Sequence, residues 1–290
     1  VPGTKILDRN ISLESAYNQA LFFTKSHYEN FPVVSFFLPK KLRRHIAVIY
    51  QFARQADDIA DEGKGNCELR IENLELYEMQ LSNCLKGQFV SNFWQALNDT
   101  IVKYQLTHKY FFDLLSAFKQ DVIKNRYNNF KDVLNYCELS ANPVGRIVLE
   151  LFDVRDEDAL KYSDAICTAL QLTNFYQDVS IDIKKGRIYI PIDEINKFGV
   201  KLNQFELKQN NTKFEQLLKY QIDRTKEYFS IGKNLFERLP GKLEKQIKAT
   251  VFGGEKILEK IEKINYDILN HRPKLSKIDY FNILLKALIK

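Results

Sequence analysis

Apolar residues recur at three- and four-residue spacings through most of the chain, and no stretch sustains the apolar–polar alternation of a half-buried strand. The pattern predicts helices near residues 12–25, 40–61, 67–86, 92–104, 108–122, 130–152, 156–183, 210–237, 242–269 and 276–289. Breaks are expected at Pro32, Pro39, Gly63, Gly65, Gly87, Pro240-Gly241 and Pro273, where the backbone lacks a donor or gains freedom. The stretch 184–200, with Gly186, Pro191 and Gly199, reads as a loop with a short turn, and Asp153 to Asp156 as a short connection. There is no low-complexity linker and no internal repeat, so residues 1–290 read as one all-α domain.

Two of these helices carry acid where the pattern calls for burial. Ile46, Val48, Ile49, Tyr50, Phe52 and Ala53 precede the run Asp57-Asp58-Ile-Ala-Asp61-Glu62, and Leu170, Leu172, Phe175 and Tyr176 precede Asp178-x-x-x-Asp182. A helix apolar nearly all round is expected to be buried. Burying several carboxylates is costly unless they are paired or bind metal. Residues four apart share one helix face, with Cβ atoms roughly 6 Å apart, so each motif can present two carboxylates to one hard cation. Two such helices facing each other would hold several divalent ions around a diphosphate, because carboxylates and substrate phosphates are the usual magnesium ligands. Basic residues stand close by: Arg54 three positions before Asp57, and Lys184, Lys185 and Arg187 just after Asp182. Each feature also has a plain explanation. An acidic run alone is usually a solvated helix face, Arg54 can make an intrahelical ion pair, and Lys-Lys-Gly-Arg is a common helix ending.

Composition narrows the chemistry. Of 290 residues, 45% are hydrophobic and 28% charged, with only 7 Pro and 11 Gly, as a helical protein requires. The net charge of +6 suits an anionic ligand or membrane surface, and no nucleic-acid motif accompanies it. Cys67, Cys84, Cys137 and Cys167 form no Cys-x-x-Cys and are expected to be free thiols in a reducing cytoplasm. His27, His45, His108 and His271 show no zinc spacing, and all but His27 are expected to be structural. No phosphate loop or Gly-x-Gly-x-x-Gly occurs, since Glu68 stands where the third glycine after Gly63 and Gly65 would fall, and no NAD(P)H site is expected. No Gly-x-Ser-x-Gly nucleophile elbow is present. Phe31, Tyr50, Tyr136, Phe175, Tyr176 and Tyr189 can each be ordinary core, but together they can line a cavity whose ring faces stabilise a carbocation. No signal-peptide pattern and no membrane-spanning run is visible. The amphipathic stretch 277–290 is expected to pack on the body, with a membrane surface as the alternative.

At these motifs the chain resembles the squalene and phytoene synthase family. The residues that carry the likeness are Tyr50-x-x-x-Arg54-x-x-Asp57-x-x-x-Asp61, Tyr136-Cys137 with Gly145 downstream, and Gln171-x-x-Asn174-x-x-x-Asp178-x-x-x-Asp182 with Arg187-x-Tyr189. Within the family it most resembles the bacterial hydroxysqualene synthase subgroup, through Ser26 to Pro32, Leu139 to Arg146, Leu172 to Val179, and His271-Arg272-Pro273. Many relatives carry Arg before the second motif's first Asp; here it is Gln177. The resemblance implies an isoprenoid synthase-type helical bundle around a central cavity. It implies several Mg2+ ions held by Asp57, Asp61, Asp178 and Asp182, diphosphate held by Arg54, Lys185 and Arg187, and Tyr50, Tyr136, Asn174 and Tyr189 shaping the reactive centre. His27, Phe31 and Phe175 would border the cavity. The implied reaction is conversion of presqualene diphosphate to hydroxysqualene with water as the trap, in squalene and hopanoid biosynthesis. A presqualene diphosphate synthase and a hydroxysqualene dehydroxylase would be hand-over partners, in the cytoplasm or at the inner membrane face. The alternatives are head-to-head condensation of two prenyl diphosphates and, outside enzymes, a helical protein that binds prenyl chains.

Overall fold

Four helix starts along the chain are set by short polar side chains that satisfy amide groups no helical carbonyl can reach. Asn66, Asn129, Asp156 and Asn211 each accept from the backbone N–H three residues on, and each opens a helix. The computed structural model describes residues 9–26, 38–61 and 66–289. His27, Phe31, Glu62 and most of the Ser26–Pro32 motif lie outside them. Among the described residues the structure is all-α; no strand forms, and one isolated bridge joins Arg126 to Ile188.

The chain divides into two units, Val1–Val122 and Ile123–Lys290. The first contains α1 (Arg9–Ser26), α2 (Lys40–Asp61), α3 (Cys67–Leu85) and α4 (Asn92–Tyr104), with α5 (His108–Ile123) running to its end. Helix α2 packs on α1, α3 and α4. Its buried side follows the four-residue row Val48, Phe52, Ala56 and Ala60, and Phe52 meets Tyr77, Trp94 and Phe111 edge-on or tilted. Behind it, His45 Nδ1 lies 2.9 Å from Thr100 Oγ1, and Tyr17 donates to Asp99 Oδ2 at 2.6 Å. His45 is therefore structural, as expected.

The second unit contains α6 (Phe130–Ser140), α7 (Asn142–Leu151), α8 (Glu157–Gln177), α9 (Val179–Asp182), α10 (Ile192–Lys197), α11 (Leu202–Glu206), α12 (Thr212–Gly232), α13 (Gly241–Lys263) and α14 (Lys277–Ile289). Helix α8 is its centre, packed against α6, α7, α12 and α13. Close approach of α7 needs Gly145, where an added Cβ would overlap Cys167 Sγ and Ser163 Oγ. A half-buried to buried cluster fastens α10: Arg224 donates to both Glu194 oxygens (2.6 and 3.0 Å), Gln221 donates to Glu194 (2.5 Å), and Tyr176 donates to Gln221 (3.0 Å). Helix α14 packs on α13 through Ile283 and Ala287, while Ile278, Phe281, Leu285 and Leu288 of its other side are exposed. No described helix is long and apolar enough to cross a membrane.

Several boundaries differ from the sequence-based expectation. The helix expected at 130–152 is two helices meeting at Ala141, because Pro143 lacks an N–H and fits only a first turn. The helix expected at 156–183 stops at Gln177, with Asp178 as its cap and α9 as a separate turn. The helix expected to reach 269 ends at Lys263, where Asn265 and Tyr266 both take positive φ (52° and 59°). Residues 233–238 form a 3-10 helix rather than the end of an α-helix. The short α10 and α11 fall in and just after the stretch read as loop.

Candidate functional site

The first motif sits at the C-terminal end of α2. At 100° per residue, Tyr50, Arg54, Asp57 and Asp61 fall within roughly a 60° sector, opposite the buried row. The helix is not buried all round, as its apolar flanks suggested. Tyr50, Arg54, Asp57, Asp58 and Asp61 are all half-buried, because the packing partners of α2 cover its other side. Arg54 bridges two carboxylates: Nη1 donates to Asp57 Oδ2 (3.1 Å), and Nη2 lies 2.7 Å from Asp58 Oδ1 without hydrogen-bond alignment. The intrahelical pair expected for Arg54 is present. Burial pushes the Tyr50 hydroxyl above its ordinary pKa; Arg54 opposes this, and Asp57 and Asp58 add to it. Tyr50 is thus a neutral hydrogen-bond donor at physiological pH.

Three carboxylates close α2, and its last turn holds no basic residue. A helix C-terminus carries a partial negative charge, so acid there is unfavourable without a cation. From the neighbouring helix, Arg70 Nη1 donates to the Ala60 carbonyl at 2.7 Å and answers part of that charge.

The second motif straddles a helix break. Asp178 caps α8 with φ −103° and ψ 7°, yet Asp182 N still donates to Asp178 O at 2.9 Å, so the one-turn spacing of the two carboxylates survives. Gly186, at φ 72°, ends the following 3-10 turn in a conformation that side chains with Cβ rarely adopt, and Arg187 N returns to Asp182 O at 2.9 Å. The chain then runs beside residues 125–128. Ile188 N, Ile192 N and Asp193 N donate to the carbonyls of Asn125, Tyr127 and Asn128 at 3.1, 2.9 and 3.0 Å, and Arg126 reaches the Gly186 carbonyl. These bonds place Arg187, half-buried, and Tyr189; Lys185 and Asn174 are exposed.

Tyr189 stacks on Phe175 with ring centroids 3.8 Å apart and planes 6° apart. Tyr136 lies 5.9 Å from Phe175 and 6.0 Å from Tyr189. The structure thus brings Tyr136, Phe175 and Tyr189 together and adds Tyr127, centroid 5.6 Å from Tyr189 and 5.8 Å from Tyr136. No local signal marks Tyr127. Tyr176, also considered for the cavity, is fully buried and belongs to the Gln221 cluster.

A second residue that sequence reasoning left without a role is Arg272. Its guanidinium pairs with Asp178, Nε to Oδ1 at 2.5 Å and Nη2 to Oδ2 at 3.2 Å. Gln177 Nε2 donates to the neighbouring Pro273 carbonyl at 2.7 Å. The His271-Arg272-Pro273 run was the available signal.

Among the described residues no group of three or more His, Cys, Asp or Glu gathers as a ready-made metal site. The donor set nevertheless fits a hard divalent cation. Both motifs offer carboxylates one turn apart, neither contains His or Cys, and neither α2 nor α8, the helices that lead to Asp61 and Asp178, has a basic residue in its last turn. Burial pushes the thiols of Cys84, Cys137 and Cys167 up to about 12, whereas Cys67 is exposed; all four cysteines are free.

Comparison with known proteins agrees with this architecture. The squalene/phytoene synthase family matches residues 24–279. The hydroxysqualene synthase of Zymomonas mobilis is 40% identical over 184 residues, which span 62% of this chain and 61% of that protein. The hydroxysqualene synthase of Rhodopseudomonas palustris is 33% identical over 210 residues, 71% of this chain and 70% of its own. The crystal structure of squalene synthase HpnC from Alicyclobacillus acidocaldarius superposes with a TM-score of 0.84 at 35% identity, covering 88% of this chain and 96% of that one. With nearly its whole length matched and both Asp motifs in place, the chain belongs to the squalene/phytoene synthase family of enzymes.

Proposed function

We propose that this enzyme converts presqualene diphosphate and water to hydroxysqualene and pyrophosphate. The carbon–oxygen bond to the diphosphate breaks, and its electron pair leaves with the diphosphate. The resulting cyclopropylcarbinyl cation rearranges, a water oxygen adds to it, and one proton is lost to solvent. Arg54, Lys185 and Arg187 hold the diphosphate by charge-assisted hydrogen bonds. Asp57, Asp61, Asp178 and Asp182 would hold magnesium, which supplies Lewis acidity toward the leaving group when bound. Tyr136, Phe175 and Tyr189 face the cation with ring quadrupoles rather than with a base that would quench it. Tyr50 and Asn174 orient polar groups around the reacting carbon.

The observation that carries this reading is the aromatic cluster of Tyr127, Tyr136, Phe175 and Tyr189, built in part from the same helix that ends at Asp178. Within that cluster, Phe175 stands three residues before Asp178, within one turn of the carboxylate motif on that helix. The relatives named hydroxysqualene synthase support the choice of product. No nicotinamide fingerprint occurs in the sequence, which favours capture by water over reduction. A reaction upstream must supply the presqualene ester, and one downstream must consume the alcohol.

The test is reaction of presqualene diphosphate with magnesium in oxygen-18 water, without nicotinamide. The expected product is hydroxysqualene carrying the label. If presqualene diphosphate is left untouched while two farnesyl diphosphates are joined, the enzyme is a condensing synthase instead.

A further inference from the structure

Both carboxylate oxygens of Asp178 are engaged by Arg272, which lies 94 positions further along the chain. The pair is half-buried, at 31% side-chain exposure for each partner. The segment that delivers Arg272 is anchored on both sides of it. Ile268 and Leu269 are fully buried, and His271 N donates to the Asp267 carbonyl at 3.1 Å. Pro273 is buried, and its carbonyl accepts from Gln177, the residue next to Asp178. The guanidinium is therefore held against the carboxylate by the same helix end that it neutralises.

A two-pronged guanidinium and a divalent cation use the same lone pairs of a carboxylate. Magnesium demands near-octahedral oxygen ligation at about 2.0–2.1 Å, which leaves no room for an N–H on the oxygen's occupied lone pair. We propose that Arg272 is the resting counter-ion of Asp178, and that a divalent cation loads this motif by taking at least one Asp178 oxygen from it. The pair neutralises the negative end of α8 while the site is empty and sets a threshold for metal binding. This inference rests on the reading that Asp178 is a metal ligand.

Mn2+ binding followed by loss of its free-ion electron paramagnetic resonance signal tests both ideas without any turnover. The full chain is compared with Asp178→Asn, Arg272→Gln, Arg272→Lys and Gln177→Leu, each checked for helical content. Asp178→Asn should weaken binding. Arg272→Gln should tighten it about fivefold, which at 1.4 kcal/mol per tenfold is about 1 kcal/mol. Arg272→Lys keeps the charge but not the fork, and should show at least half of that gain. Gln177→Leu, which releases the anchored carbonyl, should tighten binding by less. If Arg272→Gln binds no more tightly than the natural chain, Arg272 does not compete for Asp178, and the inference fails while the metal reading stands. If Arg272→Lys matches the natural chain while Arg272→Gln tightens, the effect is one of field and not of occupied oxygens, and the inference fails again. If Asp178→Asn binds Mn2+ like the natural chain, the metal reading fails and takes the inference with it.

Discussion

Asp57→Asn separates a functional carboxylate from a structural one, because the two roles move stability and turnover differently. In the folded protein Asp57 is 39% exposed and pairs with Arg54, itself 33% exposed, at 3.1 Å. An exposed pair three residues apart on a helix is worth about 0.3–0.5 kcal/mol, which the substitution removes. Arg54 keeps Asp58 at 2.7 Å, so no buried charge is stranded. Against that loss, neutralising one of three carboxylates at a helix C-terminus relieves about 0.3–1 kcal/mol of unfavourable interaction with the helix dipole. Repulsion between Asp57 and Asp61, one turn apart, relaxes by a few tenths of a kcal/mol. The terms nearly cancel, so stability should stay within about 1 kcal/mol and the melting temperature within about 4 °C. In the proposed reaction turnover depends on how well the departing diphosphate charge is neutralised, and losing one such contact would cost about 10²–10³ in rate. Pyrophosphate release at saturating magnesium, measured beside thermal unfolding, checks both halves. Near-normal turnover would refute the metal assignment. A loss of more than about 3 kcal/mol of stability, with turnover per folded molecule intact, would make Asp57 a structural residue.

Arg187→Ala should weaken a diphosphate substrate more than an uncharged squalene-like analogue, by about 1.5–3 kcal/mol in competition binding; equal losses would point to packing of the 186–193 segment. Arg224→Leu strands Glu194, whose side chain is 10% exposed, and should cost about 3–5 kcal/mol in urea unfolding. Adding Glu194→Leu should recover most of that loss; no recovery would put the energy instead in the contact of Arg224 with Phe130, 3.3 Å from the ring centroid. Burial, with Lys103 and Arg44 adding to it, lowers His45 from 6.5 to about 4. The unfolded chain binds this proton more readily, so the contribution is complete above about pH 6.5 and is lost as pH falls toward 4, at up to about 1.4 kcal/mol per pH unit. His45→Gln should flatten that part of the stability profile, and an unchanged slope would assign the acid sensitivity elsewhere.

Tertiary packing decided several features that local pattern could not. The apolar flanks of α2 suggested burial on every side, yet beyond Val48 its buried residues are confined to Phe52, Ala56 and Ala60, and the acids remain half-buried. Pro143 was a visible breaker whose effect on the 130–152 helix could have been anticipated. The stop at Gln177 had no such signal, since Gln-Asp-Val contains neither glycine nor proline.

Helix identity, the faces of the helices and the one-turn spacing of each Asp pair were legible in the residues. These depend on bonds and side-chain contacts within about four positions of each other, which a linear pattern carries. The joining of Tyr127 to Tyr136, Phe175 and Tyr189, the pinning of residues 186–193 along 125–128, and the Arg272–Asp178 pair all link distant segments. Such contacts form only where packing pays the entropy of closing the intervening chain, and no local pattern records which partner that packing selects.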